Sequence, residues 1–165
     1  MRSSDEPSLI LIDGRSGSGK TTLAIRIAKS KQAYLISLDD IYPGWDGLDA
    51  GSWHLYEHGL LPRGQGVAGR YQLWDWKKNQ HGAWLEIPVG RPVVVEGCGS
   101  IRNNAPVLGA HCIWLDLDES LRRRRAAERD GPGFKKNWER WARQEERFQA
   151  VHRSRDLADE VRQLG

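Results

Sequence analysis

The feature that most constrains the fold is a glycine-rich segment at residues 14–21, which reads G-R-S-G-S-G-K-T. It satisfies the pattern G-x-x-x-x-G-K-[ST] at every fixed position. An apolar run at 8–13 precedes it, and residues 20–31 follow it with apolar side chains at helical spacing. A chance glycine-rich turn would not have these two flanking elements. A strand, a turn and a helix in this order predict a phosphate-binding loop, the P-loop.

The chemistry of this loop predicts a bound nucleoside triphosphate with Mg²⁺. Glycines allow backbone N–H groups to point inward around phosphate oxygens, and the positive end of the following helix adds to the anion site. Lys20 is expected to reach the β- and γ-phosphates, and the Thr21 hydroxyl to bind Mg²⁺. We therefore expect ATP to be bound by Gly14, Arg15, Ser16, Gly17, Ser18, Gly19, Lys20, Thr21 and Thr22.

The rest of the chain predicts an α/β fold with a mainly parallel sheet. Further strands are predicted at residues 33–38, 91–96 and 111–116. Helices are predicted near 48–61 and at 118–129 and 134–152, the last two separated by a Gly-Pro-Gly break. Strands that alternate with helices form a parallel sheet covered on both faces. We expect one domain over residues 1–165, with a three-layer P-loop NTPase fold.

Composition and charge exclude several other classes of protein. The hydrophobic content of 39% is ordinary for a globular domain, and no apolar run approaches the ~18 residues that a membrane span needs. Residues 1–7 are polar and acidic, unlike a secretory signal, so we expect a cytoplasmic protein. The net charge of +3 is too small to predict nucleic-acid binding. The eight tryptophans are expected mainly in the core or in pocket walls.

Two acids at predicted strand ends are candidates for the magnesium side of the site. Glu96 closes the run Val93-Val94-Val95, which suits a strand beside the P-loop strand. We expect Glu96 to bind Mg²⁺ directly or through water. Asp116 also ends a strand, but a helix starts near it, so it is interpreted as a helix cap or first-turn acid.

A second pair of acids points to phosphoryl transfer. No N-K-x-D motif of the kind that reads the guanine base is present, which argues against a switch GTPase. Asp39 and Asp40 end the second predicted strand, on the same edge of the sheet as the P-loop. A carboxylate there can accept the proton of an acceptor hydroxyl. The alternative is a pair of turn-forming acids.

An arginine stripe near the Gly-Pro-Gly break predicts a lid. Arg122, Arg125 and Arg129 fall within an arc of about 60° on one helix face. Such a stripe can neutralise charge on a transferred phosphoryl group, and we expect Arg122 to bind ATP and Arg125 and Arg129 to act in catalysis. A nucleic-acid patch is the competing interpretation, but four acids interrupt the basic field: Asp118, Glu119, Glu128 and Asp130.

Taken together, these segments resemble the uridine kinase family of P-loop kinases, in particular a short bacterial branch. The matching segments lie at residues 12–24, 37–48, 71–76, 93–97 and 122–130. The segment S-L-D-D-I-Y at 37–42 resembles the family's D-x-[FI]-Y motif. The resemblance implies a five-stranded sheet of order 2-3-1-4-5, an arginine-rich lid at about 122–137, and an acceptor region at about 39–90.

The resemblance also implies roles for individual residues. Asp39 would be the general base for a sugar 5′-hydroxyl, Tyr42 would lie in the acceptor pocket, and Asp75 would hold sugar hydroxyls. Glu96 would lie with the magnesium, and Arg129 would be a lid arginine. The implied activity is ATP-dependent, Mg²⁺-dependent phosphorylation of a small acceptor such as uridine or cytidine, with no nucleic-acid or membrane partner.

Two alternatives remain open from the sequence. The first is a kinase of another acceptor, such as a nucleoside monophosphate, a sugar acid or a vitamin precursor. A phosphorylated acceptor would need arginines in the middle segment, where residues 39–90 hold only Arg63 and Arg70. The second is a non-catalytic nucleotide switch or assembly ATPase, for which γ-phosphate binding would change structure without an acceptor.

Overall fold

A computed structural model describes residues 6–163 of the chain. Residues 1–5, which carry part of the expected polar N-terminus, lie outside the described residues. The helices are α1 Lys20–Lys31, α2 Leu48–Leu55, α3 Leu61–Gly64, α4 Glu119–Asp130, α5 Phe134–His152 and α6 Ser154–Leu157. Across residues 6–163, no helix combines the length and hydropathy that a membrane crossing requires.

The main sheet has five strands, and every neighbouring pair is parallel. The strands of the chain are β1 Leu9–Gly14, β2 Tyr34–Ser37, β3 Arg70–Asp75, β4 Gln80–Glu86, β5 Val93–Glu96, β6 His111–Asp116 and β7 Glu160–Gln163. The sheet order is β2-β5-β1-β6-β7. Numbered among the sheet strands alone, this is the predicted order 2-3-1-4-5, which is confirmed. Strands β1 and β5 are buried along their whole length, as central parallel strands are.

The sequence analysis did not locate the residues of three of the strands. Strands β3 and β4 pair with each other in a separate antiparallel hairpin, which the sequence analysis did not predict. The final strand β7 is short and polar, yet it pairs in parallel with β6. The predicted helix near residues 48–61 is present and extends to Gly64, with a π-helical turn at Tyr56–Leu60 between α2 and α3.

The alternating residues of β1 divide the core into the two layers expected around such a sheet. Leu9 and Leu11 pack in one cluster with side chains from α2 and α5. Ile10 and Ile12 pack in the other with side chains from α1. Because all sheet strands run the same way, the P-loop, the segment after β2, the end of β5 and the start of α4 all meet at one edge of the sheet, which is where such sheets bind ligands.

Candidate active site

The phosphate loop is a sharp turn that requires glycine. Gly17 and Gly19 have φ of 83° and 97°, a region that residues with a Cβ rarely adopt. A Cβ on Gly17 would also lie 2.4 Å from the carbonyl oxygen of Arg122. The backbone of α4 is therefore packed directly against the loop, and no other residue would fit at Gly17.

Helix α1 begins at Lys20 with its first N–H groups available to an anion. Within residues 6–163, no side chain caps this helix, and the first N–H groups of a helix have no acceptor within it. Lys20 Nζ donates to the carbonyl oxygens of Gly14 and Arg15, each at 3.0 Å. Burial acts to lower the pKa of Lys20, but nearby groups such as Cys98 and Glu96 outweigh it, and the net pKa is raised. The ammonium group is thus held charged in the loop.

Thr21 and Glu96, the two residues of the magnesium prediction, are in contact. Thr21 Oγ1 donates to Glu96 Oε1 at 3.1 Å, and Ser37 Oγ donates to the same oxygen at 2.6 Å. Burial raises the pKa of Glu96, while these hydrogen bonds oppose the rise. In the described part of the chain, no cluster of three or more His, Cys, Asp or Glu could hold a metal. A hydroxyl and one carboxylate beside a phosphate site nevertheless fit Mg²⁺, which usually binds few protein groups together with phosphates and waters.

Asp13 fastens the P-loop to the segment that follows β5. Its carboxylate accepts the N–H groups of Gly14 at 2.7 Å, Gly99 at 3.2 Å and Ile101 at 3.0 Å. The side chain is buried, and burial raises the pKa of Asp13 to about 6. Asp13 therefore supports the site from behind.

A cavity of about 710 Å³ opens over the phosphate loop. Its polar lining includes Lys20, Thr21, Asp39, Glu96, Arg125 and Arg129. Its other wall is aromatic and consists of Tyr42, Trp45, Trp76, Trp138 and Trp141. Half of the eight tryptophans thus line one cavity. A chamber of this volume is large enough for a small ligand beside a phosphate group.

The aromatic wall is built from three different parts of the chain. The ring of Tyr42 packs edge-on against Trp141, with centroids 4.7 Å apart, and Trp45 packs against Trp76 at 5.4 Å. Trp138 and Trp141 lie on α5, while Trp76 begins the turn of the β3–β4 hairpin. Tertiary packing is therefore what makes a continuous surface out of these separate rings.

Asp39 lies on this cavity, and Asp40 does not line it. Both belong to the single turn Leu38–Asp40 after β2. Trp76 Nε1 donates to the backbone oxygen of Asp39 at 2.8 Å, which ties the hairpin to this turn. Burial, and then the charge of Asp39, raise the pKa of Asp40.

Tyr42 contributes its ring rather than its hydroxyl. The hydroxyl donates to the carbonyl oxygen of Cys98 at 2.6 Å. Burial raises the pKa of Tyr42 well above its ordinary value. The residue therefore forms part of the cavity wall, and its hydroxyl has a structural hydrogen bond.

The three predicted arginines separate into two groups. Arg125 and Arg129 line the cavity, and Arg129 Nη2 donates to Ser16 Oγ at 3.4 Å. Arg122 is buried and donates to the carbonyl oxygens of Leu117 and Ser16. The prediction that Arg122 binds ATP is therefore wrong for the described structure, because its guanidinium seats α4 on the loop instead.

Arg15 and Ser18 also point away from the predicted ATP contacts. Arg15 Nε lies 3.2 Å from Glu145 Oε1, and Ser18 is fully buried with its N–H donated to the Arg15 carbonyl oxygen. Neither residue lines the cavity, nor does Gly14, whereas Ser16, Gly17, Gly19 and Thr22 do. The side chains of the loop alternate between its inner and outer surfaces, which the motif alone does not reveal.

Asp75 is not in the cavity, so its predicted role in holding sugar hydroxyls is corrected. Its Oδ1 accepts the N–H groups of Lys77 and Lys78, each at 3.0 Å, and so closes the hairpin turn. The Trp-Asp-Trp sequence resembled an acceptor motif, but strand alternation sends Asp75 and Trp76 in different directions. Trp76 is the residue that reaches the cavity.

Asp116 is likewise not the helix cap. It accepts Trp114 Nε1 at 2.6 Å and pairs with Arg155 at 2.9 Å. The cap of α4 is Asp118, whose side chain accepts the N–H of Ser120. Helix α4 begins at Glu119, three residues after the last residue of β6, so Asp118 rather than Asp116 is in the capping position.

Several lining residues escaped the sequence analysis, namely Arg26, Trp45, Cys98, Asp130, Asn137, Trp138 and Trp141. Trp138 and Trp141 are spaced i, i+3 on one helix, which is the only local signal that they share a face. The others lie in loops or on α1, α4 and α5, where nothing in the local sequence distinguishes them from surface residues.

Comparison with known proteins places the fold among solved structures. No protein-family model and no curated protein sequence matches the chain. A structure described as a possible uridine kinase from Bacillus stearothermophilus aligns over 98% of this chain and 90% of its own, with 17% identity and a TM-score of 0.66.

Two further structures share the fold. An uncharacterized protein from Eubacterium ventriosum aligns over 95% of this chain and 88% of its own, with 14% identity and a TM-score of 0.53. The shikimate kinase of Bacteroides thetaiotaomicron aligns over 93% and 83%, with 17% identity and a TM-score of 0.51. At these identities the likeness establishes the three-layer P-loop fold.

Proposed function

We propose that the protein is an ATP-dependent kinase that transfers the γ-phosphoryl group to a hydroxyl of a small acceptor, such as the 5′-hydroxyl of uridine or cytidine. The observation that carries the proposal is that one cavity is lined by the phosphate loop, the Thr21–Glu96 pair and Asp39. The kinase names of two similar structures, a possible uridine kinase and a shikimate kinase, agree with it.

In the proposed reaction, Asp39 accepts the proton of the acceptor hydroxyl while the hydroxyl oxygen forms a bond to the γ-phosphorus. The bond between that phosphorus and the β–γ bridging oxygen breaks, and ADP leaves with the electron pair. Lys20, Arg125 and Arg129 stabilise the negative charge on the transferred group. Thr21 and Glu96 would hold Mg²⁺, and the ion would supply positive charge beside the phosphates.

The aromatic wall supports an acceptor with flat, apolar faces. Indole and phenol rings pack against a nucleobase or against the C–H face of a sugar. The lid proposed at residues 122–137 would comprise most of α4, the turn Gly131–Gly133 and the start of α5. Arg125 and Arg129 reach the cavity from this segment. Closure of the lid would exclude water from the transferred phosphoryl group.

The test is to measure ADP release from MgATP with and without a panel of hydroxylated acceptors. The panel contains pyrimidine and purine nucleosides, nucleoside monophosphates, sugar acids and hydroxylated vitamin precursors. A kinase shows a large increase in ADP release with one class and forms the phosphorylated acceptor in equal amount. Slow ADP release that no acceptor increases would reject the kinase and favour a nucleotide-dependent switch.

A further inference from the structure

Glu145 on α5 is a buried acid that touches the phosphate loop. Only 4% of the residue is exposed. Glu145 Oε2 accepts the backbone N–H of Ser16 at 2.7 Å, and the Cys98 thiol lies 3.3 Å from the same oxygen. Oε1 lies 3.2 Å from Arg15 Nε, an ion contact without hydrogen-bond alignment. A carboxylate in such surroundings is held in one position by several neighbours.

These contacts divide the phosphate loop into two halves. In the first half, the Ser16 N–H is donated to Glu145 and the Arg15 charge is paired with it. In the second half, Gly17, Gly19 and the start of α1 face the cavity. The first half is thus anchored, while the second half carries the anion site.

The same helix carries part of the cavity wall. Trp138, Trp141 and Glu145 follow one another at spacings of three and four residues, which places them on one face of α5. Gln144 of this helix also accepts the N–H of Leu48 and donates to the Trp45 carbonyl oxygen. Helix α5 therefore contacts both the aromatic wall and the phosphate loop as one rigid element.

We propose that Glu145 is a positioning residue for the nucleotide: by holding Ser16 and Arg15 against α5, it sets the geometry of the phosphate loop. The inference rests on the nucleotide-binding part of the proposed function and is independent of the acceptor. Its test therefore uses binding, by calorimetry, of the magnesium complex of the non-hydrolysable β,γ-imido analogue of ATP. If no acceptor in the panel increases ADP release, this binding test can still succeed, so the two proposals can fail separately.

Three variants isolate the contact. Glu145→Met removes both the acceptor oxygen and the charge, and Glu145→Gln keeps an oxygen for Ser16. Glu146→Met changes the exposed neighbour on the same helix and serves as the control. We expect Glu145→Met to weaken analogue binding about tenfold or more, since a hydrogen bond to a charged group is lost. The analogue affinity of Glu145→Gln is expected to lie between those of Glu145→Met and the Glu146→Met control. The affinity of the control is expected to stay within about twofold of that of the unaltered protein.

Hydrogen exchange supplies a readout that a general loss of stability would not produce. In Glu145→Met, exchange of the Ser16 amide is expected to rise about tenfold or more relative to that of Val94 in the central strand β5. A uniform rise at both amides would overturn the proposal and indicate a structural role only. Unchanged analogue affinity in Glu145→Met would overturn it as well.

The double variant Arg15→Met/Glu145→Met keeps the test decisive if Glu145→Met fails to fold, because it leaves no unpaired charge buried. Analogue binding that remains weak in the double variant supports the hydrogen bond to Ser16 as the cause. Recovery to the affinity of the unaltered protein would overturn the proposal, since only charge balance would then matter.

Discussion

Thr21 Oγ1 and Glu96 Oε1 are 3.1 Å apart and joined by a hydrogen bond. One residue is in the first turn of α1 and the other ends β5, so the contact joins the helix after the phosphate loop to the neighbouring strand. In the proposed function these two groups would hold Mg²⁺. The two residues are 75 positions apart in the sequence, and the parallel pairing of β1 with β5 brings them together.

Glu96→Gln is expected to raise the Mg²⁺ concentration needed for half-maximal nucleotide binding by about 10- to 100-fold, because the charge that attracts the ion is removed. Titrating Mg²⁺ at constant ATP analogue measures the effect. Asp116→Asn is the control, since Asp116 also ends a strand beside β1 but pairs with Arg155. Equal Mg²⁺ requirements for both variants would refute the metal assignment of Glu96.

Asp39→Asn is expected to reduce phosphoryl transfer by about 10²- to 10⁴-fold and to leave ATP affinity nearly unchanged, because only the proton acceptor is lost. Its neighbour Asp40 belongs to the same turn but does not line the cavity. Asp40→Asn therefore serves as the control and should keep most of the activity. Normal turnover in Asp39→Asn would remove it as the general base.

Lys20→Ala is expected to abolish transfer by a different route. The variant removes the ammonium group that is proposed to contact the phosphates in both the ground state and the transition state, so ATP affinity should fall together with turnover. Calorimetry with the ATP analogue and single-turnover kinetics separate the two effects. Retention of full analogue affinity would contradict the loop geometry proposed for Lys20.

Trp76→Ala tests the aromatic wall. Trp76 lines the cavity, whereas Trp84 lies on β4 of the same hairpin outside the cavity lining, and both are 41% exposed. Losing the ring at Trp76 is expected to raise the acceptor KM about tenfold, with the KM for ATP unchanged. Trp84→Ala should change neither constant. Identical kinetics for the two variants would place the acceptor elsewhere.

Gly17→Ala tests the packing of α4 against the phosphate loop. Its φ is 83°, and a Cβ would collide with the Arg122 backbone. Gly44 has a similar φ of 85° but open space around it, so Gly44→Ala isolates the cost of the backbone conformation, on the order of 1–3 kcal/mol. We expect Gly17→Ala to lose nucleotide binding and to unfold at a lower temperature than Gly44→Ala. A nucleotide affinity as high as that of Gly44→Ala would show that the loop can shift.

The stability of the protein should depend on pH through Asp13. Burial raises its pKa from 3.8 to about 6, so between these values the folded state binds a proton that the unfolded state has lost. The contribution of Asp13 to the free energy of unfolding is therefore greatest below about pH 4 and falls as the pH rises to about 6, by roughly 3 kcal/mol.

Urea unfolding of the protein and of Asp13→Asn from pH 4 to 7 measures this contribution as a difference. Asn cannot titrate, and the lost acceptor for Ile101 shifts its stability equally at every pH. The unaltered protein should lose stability relative to Asp13→Asn as the pH rises. A difference that grows with pH would reverse the predicted sign.

The backbone of the fold could be predicted because its signals are local. Hydrophobic runs at β1 and β5, the glycine-rich motif and the helical spacing of α1 each lie within a few residues, and the carboxyl ends of parallel strands meet at one edge. Lys20, Thr21, Asp39 and Glu96 all follow from that logic. The β3–β4 hairpin could not be predicted in this way, because its exposed strand β4 lacks the apolar alternation that marks a half-buried strand.

The sequence alone determined which loop has the phosphate-binding motif and which strand-end acids lie beside it, since a motif and a parallel sheet require no long-range packing to be recognised. Only the tertiary structure decided that Arg15 and Arg122 turn away from the cavity, that Trp76 rather than Asp75 enters it, and that Glu145 holds Ser16. Those outcomes depend on how α4, α5 and the hairpin pack around the loop, and side-chain direction there is set by neighbours far away in the chain.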